Sequence, residues 1–204
     1  MPDAVETEDS LRGIYAAPTE RARRKCLSAL DSHCRNFIAL SPFVCVGTSG
    51  QSGADVSPRG DAPGFVQIID DRTLLIPDRP GNNRLDTMSN ILSNSGIGLL
   101  FMIPGIDETL RVNGRARIVQ DGATLAPLAV NGKTPKSGLL VEIDEVFLHC
   151  GKALIRSRLW KEDYRVERSR LPSLGTMVNE QIGKPMSNEE ADRYVENAYK
   201  TTLY

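Results

Sequence analysis

Asp78–Leu92 reads DRPGNNRLDTMSNIL, a polar loop running straight into a helical pattern. Leu85, Met88, Ile91 and Leu92 recur at i, i+3, i+6 and i+7, which predicts a helix with one apolar face. Asn82 or Asn83 is suited to cap it. The first turn of a helix leaves backbone N–H groups unpaired and carries positive partial charge. Gly81 lets the backbone come close to a ligand, Pro80 stiffens the approach, and Arg79 and Arg84 flank the same point. Together they predict an anion site with planar donors suited to phosphate oxygens. A capped helix whose arginines merely pair with Asp78 and Asp86 explains the same residues equally well.

Strand patterns lie on both sides of this stretch. Before it come Phe43–Thr48 (FVCVGT), a GQSG turn at Gly50–Gly53, Ala54–Arg59, and a hairpin of Phe65–Asp70 and Thr73–Pro77. After it come the apolar run Ile97–Ile103, a turn at Pro104–Glu108, and Thr109–Val119 (TLRVNGRARIV). The last alternates cleanly: Leu110, Val112, Gly114, Ala116 and Ile118 face one way, Arg111, Asn113, Arg115 and Arg117 the other. Gly122–Val130 predicts a short helix and Leu139–Leu148 a further strand, whose Glu142 and Asp144 can pair with the arginine row. Helix is expected over Thr19–Leu40 with a break near Asp31–Ser32, over Pro172–Ile182, and over Ser187–Tyr199, where Ser187 and Glu190 form a capping box. Many strands, hairpin-like links and no repeated βαβ unit predict a mainly β (α+β) fold built on an antiparallel sheet or small barrel.

Composition limits the function. The chain has 204 residues and a formal charge of −1, which suits a single domain and excludes a sequence-independent nucleic-acid binder. The longest apolar run has seven residues, too few to cross a membrane. The four cysteines make no C-x-x-C pair, and two histidines leave little material for a triad or a metal site, so no metal is expected. No secretory leader is legible at the N-terminus, which predicts reduced thiols and a cytoplasmic location.

Three other stretches are candidates. Ser57–Asp61 (SPRGD) places Arg59 and Gly60 at a strand end, able to meet an anion or a planar ring. Thr109 and Arg111 begin the strand with the polar face. His149–Lys152 (HCGK) sets a thiol beside an imidazole, but neighbouring strand residues point to opposite faces and cannot easily share a proton. Trp160 can wall a pocket or pack in a core.

The combination of SPRGD, DRPGNNR and ETLRVNGRA, in this order over roughly Phe37–Trp160, resembles the pyridoxamine 5'-phosphate oxidase-like flavoproteins. The resemblance implies an antiparallel six-stranded split β-barrel with flanking helices. It implies an N-terminal arm over 1–18, an FMN-binding barrel domain over 19–160, and a helical extension over 161–204 packing on the barrel or on a dimer partner. It also implies a homodimer with FMN at the subunit interface. Carried over by position, Ser57, Arg59, Gly60 and Asp61 would lie along FMN, Ile76 and Pro77 would line the cleft, Asn82, Asn83 and Arg84 would hold the phosphate, and Thr109 and Arg111 would approach from the following strand. The R-L-H-x-R-like pattern of true pyridoxamine phosphate oxidases is missing from a tail that ends VENAYKTTLY. The expectation is therefore an FMN-dependent oxidoreductase acting on another small molecule or electron donor. The alternatives are a non-catalytic flavin-binding or sensing protein, or a haem or deazaflavin binder.

Overall fold

The structure, a computed structural model, describes residues 4–51 and 53–204. Residues 1–3 of the expected arm and Ser52 of the expected GQSG turn lie outside the described residues. Strand β6 (Thr109–Val119) buries Leu110, Val112, Gly114 and Ala116 and turns Arg111, Asn113, Arg115 and Arg117 outward, as its alternation dictates. It sits at the centre of a seven-stranded antiparallel sheet of order β2-β1-β5-β6-β7-β4-β3. The other strands are β1 (Phe43–Gly50), β2 (Gly53–Gly60), β3 (Gln67–Asp70), β4 (Thr73–Pro77), β5 (Gly96–Met102) and β7 (Gly138–His149). The sheet has seven strands where the resemblance implies six; each falls on one of the strand patterns read from the sequence, including the expected hairpin of the Phe65–Asp70 segment with β4. Pro58 is accommodated because β2 is an edge strand, where a missing N–H can face away from the ladder.

Strands β6 and β7 are not in simple register. Asn113 faces Glu145 while Gly114 faces Ile143, so Asp144 is an extra residue, a bulge in β7. Before it Leu139, Val141 and Ile143 point inward; after it Val146 does. Arg115 pairs with Asp144 at 3.0 Å and reaches Glu142 at 3.8 Å, as the sequence predicts.

Val44 and Val46 of β1, Leu74 and Ile76 of β4, Phe101 of β5 and Val141 of β7 share one core. Strands near opposite ends of the order thus meet through their side chains, so the sheet curls into a split barrel. Helix α3 (Ser32–Leu40) closes one mouth with Cys34, Phe37 and Ile38, and Asp31 caps it by accepting from the Cys34 N–H at 2.8 Å. Burial pushes the Cys34 thiol up to about 12, so this cysteine is a packing residue.

The N-terminal region carries two short helices, α1 (Glu8–Ile14) and α2 (Glu20–Arg24), neither burying a residue. Helix α4 (Asp86–Ser93) follows the opening loop. The expected Gly122–Val130 helix is only α5 (Gly122–Leu125) and one 3-10 turn, because the chain reverses at Asn131–Gly132. After β7 come α6 (Lys152–Ser157), α7 (Leu174–Gln181) and α8 (Asn188–Thr201), the last opened by the expected Ser187–Glu190 capping box. Helices α7 and α8 pack on one another. A Cβ at Gly175 would meet the Ala191 carbonyl oxygen at 2.6 Å, and Asn179 donates to Met186 O and Asn188 Oδ1, each at 2.9 Å. No described helix is long and apolar enough to cross a membrane.

Candidate functional site

The loop ahead of α4 is held open by backbone geometry. Asn83 and Leu85 adopt left-handed conformations with φ of 57° and 59°. Asn82 Oδ1 accepts from the Arg84 N–H at 3.0 Å, so its side chain is used in a local turn. The cap position falls on Leu85, which has no oxygen to offer, and not on Asn82 or Asn83 as expected. The first-turn amides of α4 are therefore left without a side-chain cap. The apolar face is also narrower than its spacing predicts: Met88, Ile91 and Thr87 are buried, while Leu92 near the helix end is 80% exposed.

A cavity of about 480 Å³ opens at this helix start. Its walls are Ser57 and Arg59 of β2, the loop from Asp78 to Leu85, Asp86, Thr87 and Met88 of α4, Val130 and Lys133–Lys136 of the loop before β7, and Thr202 and Tyr204. Thr87 is 1% exposed, and its hydroxyl is buried with no hydrogen-bond partner. Such a group costs stability unless something meets it.

The cations around the cavity are engaged to different degrees. Arg84 pairs with Asp86 at 2.7 Å, but its side chain is 72% exposed. Arg59 lies 3.7 Å from Asp78. Arg79 does not pair with Asp78 as the competing reading required. It donates through Nε to Asp61 Oδ2 at 2.6 Å and through Nη1 to Leu128 O at 2.9 Å, a strut beneath the loop. Burial pushes the Asp61 carboxyl up, but bonds from the Ala62 N–H, the Tyr204 hydroxyl and Arg79 outweigh it and hold Asp61 below the usual range. Asp78 goes the other way: burial raises it, and Arg59 and Lys136 offset this only in part.

Of the residues expected from sequence, Ser57, Arg59, Asn82, Asn83 and Arg84 line the cavity. Gly60 packs against the start of β1, where a Cβ would lie 3.3 Å from Pro42 O. Asp61 sits beneath the wall, its side chain 4% exposed. Ile76 and Pro77 are buried in β4 opposite Leu139 and Gly138. Thr109 and Arg111 belong to a different neighbourhood. Thr109 faces His149 across the ladder, and the Arg111 guanidinium lies 5.0 Å from the Phe147 ring, which Lys25 also approaches at 5.0 Å. Burial, with help from Lys25 and Arg111, holds His149 below its usual value. Trp160 donates to Ile106 O at 2.9 Å. Among the described residues no three His, Cys, Asp or Glu side chains form a metal cluster.

Thr87, Lys133, Lys136 and Tyr204 were not singled out from sequence. The signal for the lysines is Asn131–Gly132, the dipeptide favoured in tight hairpin turns. Both residues have positive φ, and Val130 and Lys133 exchange backbone bonds at 3.1 and 2.9 Å.

A split antiparallel barrel with flanking helices and a cation-rimmed cavity at one helix start defines an α+β protein of the split-barrel class. Residues 30–150 match the pyridoxamine 5'-phosphate oxidase family, and the chain belongs to that family. A comparison with curated proteins gives no match. Among solved structures, HupZ from Group A Streptococcus is similar at 18% identity, covering 58% of this chain and 93% of that one, with a TM-score of 0.49. General Stress Protein 26 from Bacillus anthracis is similar at 14% identity, over 57% and 93%, with a TM-score of 0.43. The FAD binding protein from Mycobacterium smegmatis is similar at 16% identity, over 60% and 97%, with a TM-score of 0.41. Family membership rests on the 30–150 match alone.

Proposed function

We propose that the cavity binds FMN with its phosphate at the start of α4, and that the protein is an FMN-dependent oxidoreductase acting on a small molecule other than pyridoxamine phosphate. The observation that carries this reading is the buried, unpartnered Thr87 hydroxyl beside uncapped first-turn amides. A phosphate has the oxygens to meet both, and Arg84 stands at the rim to share its charge. Ser57 and Arg59 of β2 would lie along the rest of the flavin. FMN, when bound, supplies two-electron redox chemistry; the chain's part is to orient it, shield it and set the charge around it.

The test is the visible spectrum of the purified protein and an FMN titration. A flavin spectrum or saturable uptake is expected; a colourless protein that refuses FMN overturns the reading. Anaerobic mixing with NADH and NADPH then separates a reductase, whose flavin bleaches, from a binding protein, whose flavin does not respond.

Thr87→Val offers a sharper check, because its two effects have opposite signs. Removing an unpaired buried hydroxyl leaves the ligand-free protein as stable or more so, by up to about 1 kcal/mol. The same change weakens FMN about tenfold by removing one phosphate contact. Thermal melting without ligand and titration with it read the two arms.

In this reading the protein is a homodimer. Its exposed area is 13942 Å², whereas a folded monomer of 22.4 kDa should expose about 9,400 Å². The surplus lies where helices bury little, in α1, α2, α6 and the α7–α8 pair, with Leu174, Val178 and Ile182 exposed. A second copy is a suitable cover, and it could bring Thr109 and Arg111 to the partner's cavity. Light scattering should return twice 22.4 kDa.

A further inference from the structure

Thr202 and Tyr204 are walls of the cavity although they follow the last helix. Tyr204 is tied there from three directions. Its hydroxyl donates to Asp61 Oδ1 at 2.8 Å, just beyond the end of β2. Its ring lies 5.9 Å from the Arg79 guanidinium carbon, on the loop after β4. Its main-chain oxygen accepts from Lys133 Nζ at 2.8 Å, on the loop before β7. Asp61 and Arg79 are themselves locked together and to Leu128 O, so the anchor beneath Tyr204 is rigid. Tyr204 itself is only partly buried, and Leu203 beside it is exposed. A short segment therefore closes one side of the cavity through a few polar contacts and little apolar packing. Contacts of that kind open more readily than a packed core.

Resting on the reading that the cavity takes an anionic ligand, we propose that Tyr204 is a latch: the segment 202–204 swings off Asp61 and Lys133 to let the ligand pass and closes again behind it. A latch of this kind limits entry and exit alike. It differs from a simple wall contact, which slows exit only, and from a permanent plug, which admits nothing.

Two measurements test it. The first needs no ligand: nitration of the full chain with tetranitromethane, followed by peptide mass. Tyr194 and Tyr199, 72% and 61% exposed, serve as internal references. Tyr204 should react more slowly than both in the wild-type protein, and Lys133→Ala should bring it several-fold closer to them. Equal reactivity of all three tyrosines in the wild type, or no response to Lys133→Ala, overturns the latch. The second is stopped-flow mixing with FMN. Tyr204→Ala should raise the association and dissociation rates together, each about tenfold, with Tyr204→Phe in between because it keeps the ring over Arg79. A rise in the dissociation rate alone, or no change in either, overturns the latch. If neither wild type nor Tyr204→Ala takes up FMN, the cofactor reading falls, and the nitration result alone decides whether the tail is latched.

Discussion

On the proposed reading, replacing Arg84 by alanine should weaken FMN binding on the order of ten- to a hundredfold and leave riboflavin binding nearly unchanged, as loss of a charge-assisted phosphate contact requires. Riboflavin shares the ring and ribityl chain with FMN and lacks the phosphate, so the pair isolates the contact at the start of α4. Arg84 suits this role because its only described ion pair, with Asp86, is a surface pair. Such pairs contribute little and exchange readily for a better partner. Arg79 behaves differently. It is committed to Asp61 and to Leu128 O, so Arg79→Ala would loosen the loop and weaken both ligands. Isothermal titration of each variant with both flavins checks this. Equal loss of both flavins in Arg84→Ala would place the phosphate elsewhere.

A second large effect is expected at the β6–β7 bulge. Gly114→Ala should destabilise the fold by about 3 kcal/mol or more, seen as a melting temperature lower by roughly 6–12 °C. At Gly114 a Cβ would sit 2.0 Å from the Glu142 carbonyl oxygen and 3.3 Å from the Ile143 Cα, both backbone atoms of β7 at the bulge. Neither can move without disturbing the widest pairing in the sheet. Gly122→Ala is the control: nothing lies within 4 Å of its Cβ and its φ is not positive, so its melting temperature should hold or rise slightly. Equal melting of the two variants would show that β6 and β7 can part at the bulge without cost.

What the sequence made legible was local. The alternation of β6, the helix break near Asp31–Ser32, the capping box of α8 and the polar loop ahead of α4 all depend on residues a few positions apart. The family resemblance, carried by motifs in order, extended this to the split barrel. The features that escaped depend on long-range contact or on unusual backbone. Arg79 meets Asp61 across the gap between β2 and the loop after β4, and Tyr204 meets Asp61 across 143 positions of the chain. No periodicity announces such partners. The missing cap has a different cause: Asn82 has the side chain for it, but a left-handed Leu85 takes the position, and a leucine with positive φ is not something a pattern foretells. Thr109 and Arg111 show the remaining limit, since a single chain leaves Thr109 opposite His149 and Arg111 beside Phe147, away from the cavity.

The extra residue in β7 has an outcome for the far end of the strand. Were β7 to pair through Asp144 in regular alternation, with no bulge, every side chain beyond it would trade sides. Glu145, Phe147 and His149 would then aim at the interior, and Val146 at water. The aromatic platform between Lys25 and Arg111 would vanish with no change to the residues that build it. Backbone geometry at one point, and not only side-chain identity, therefore writes the chemistry of that surface.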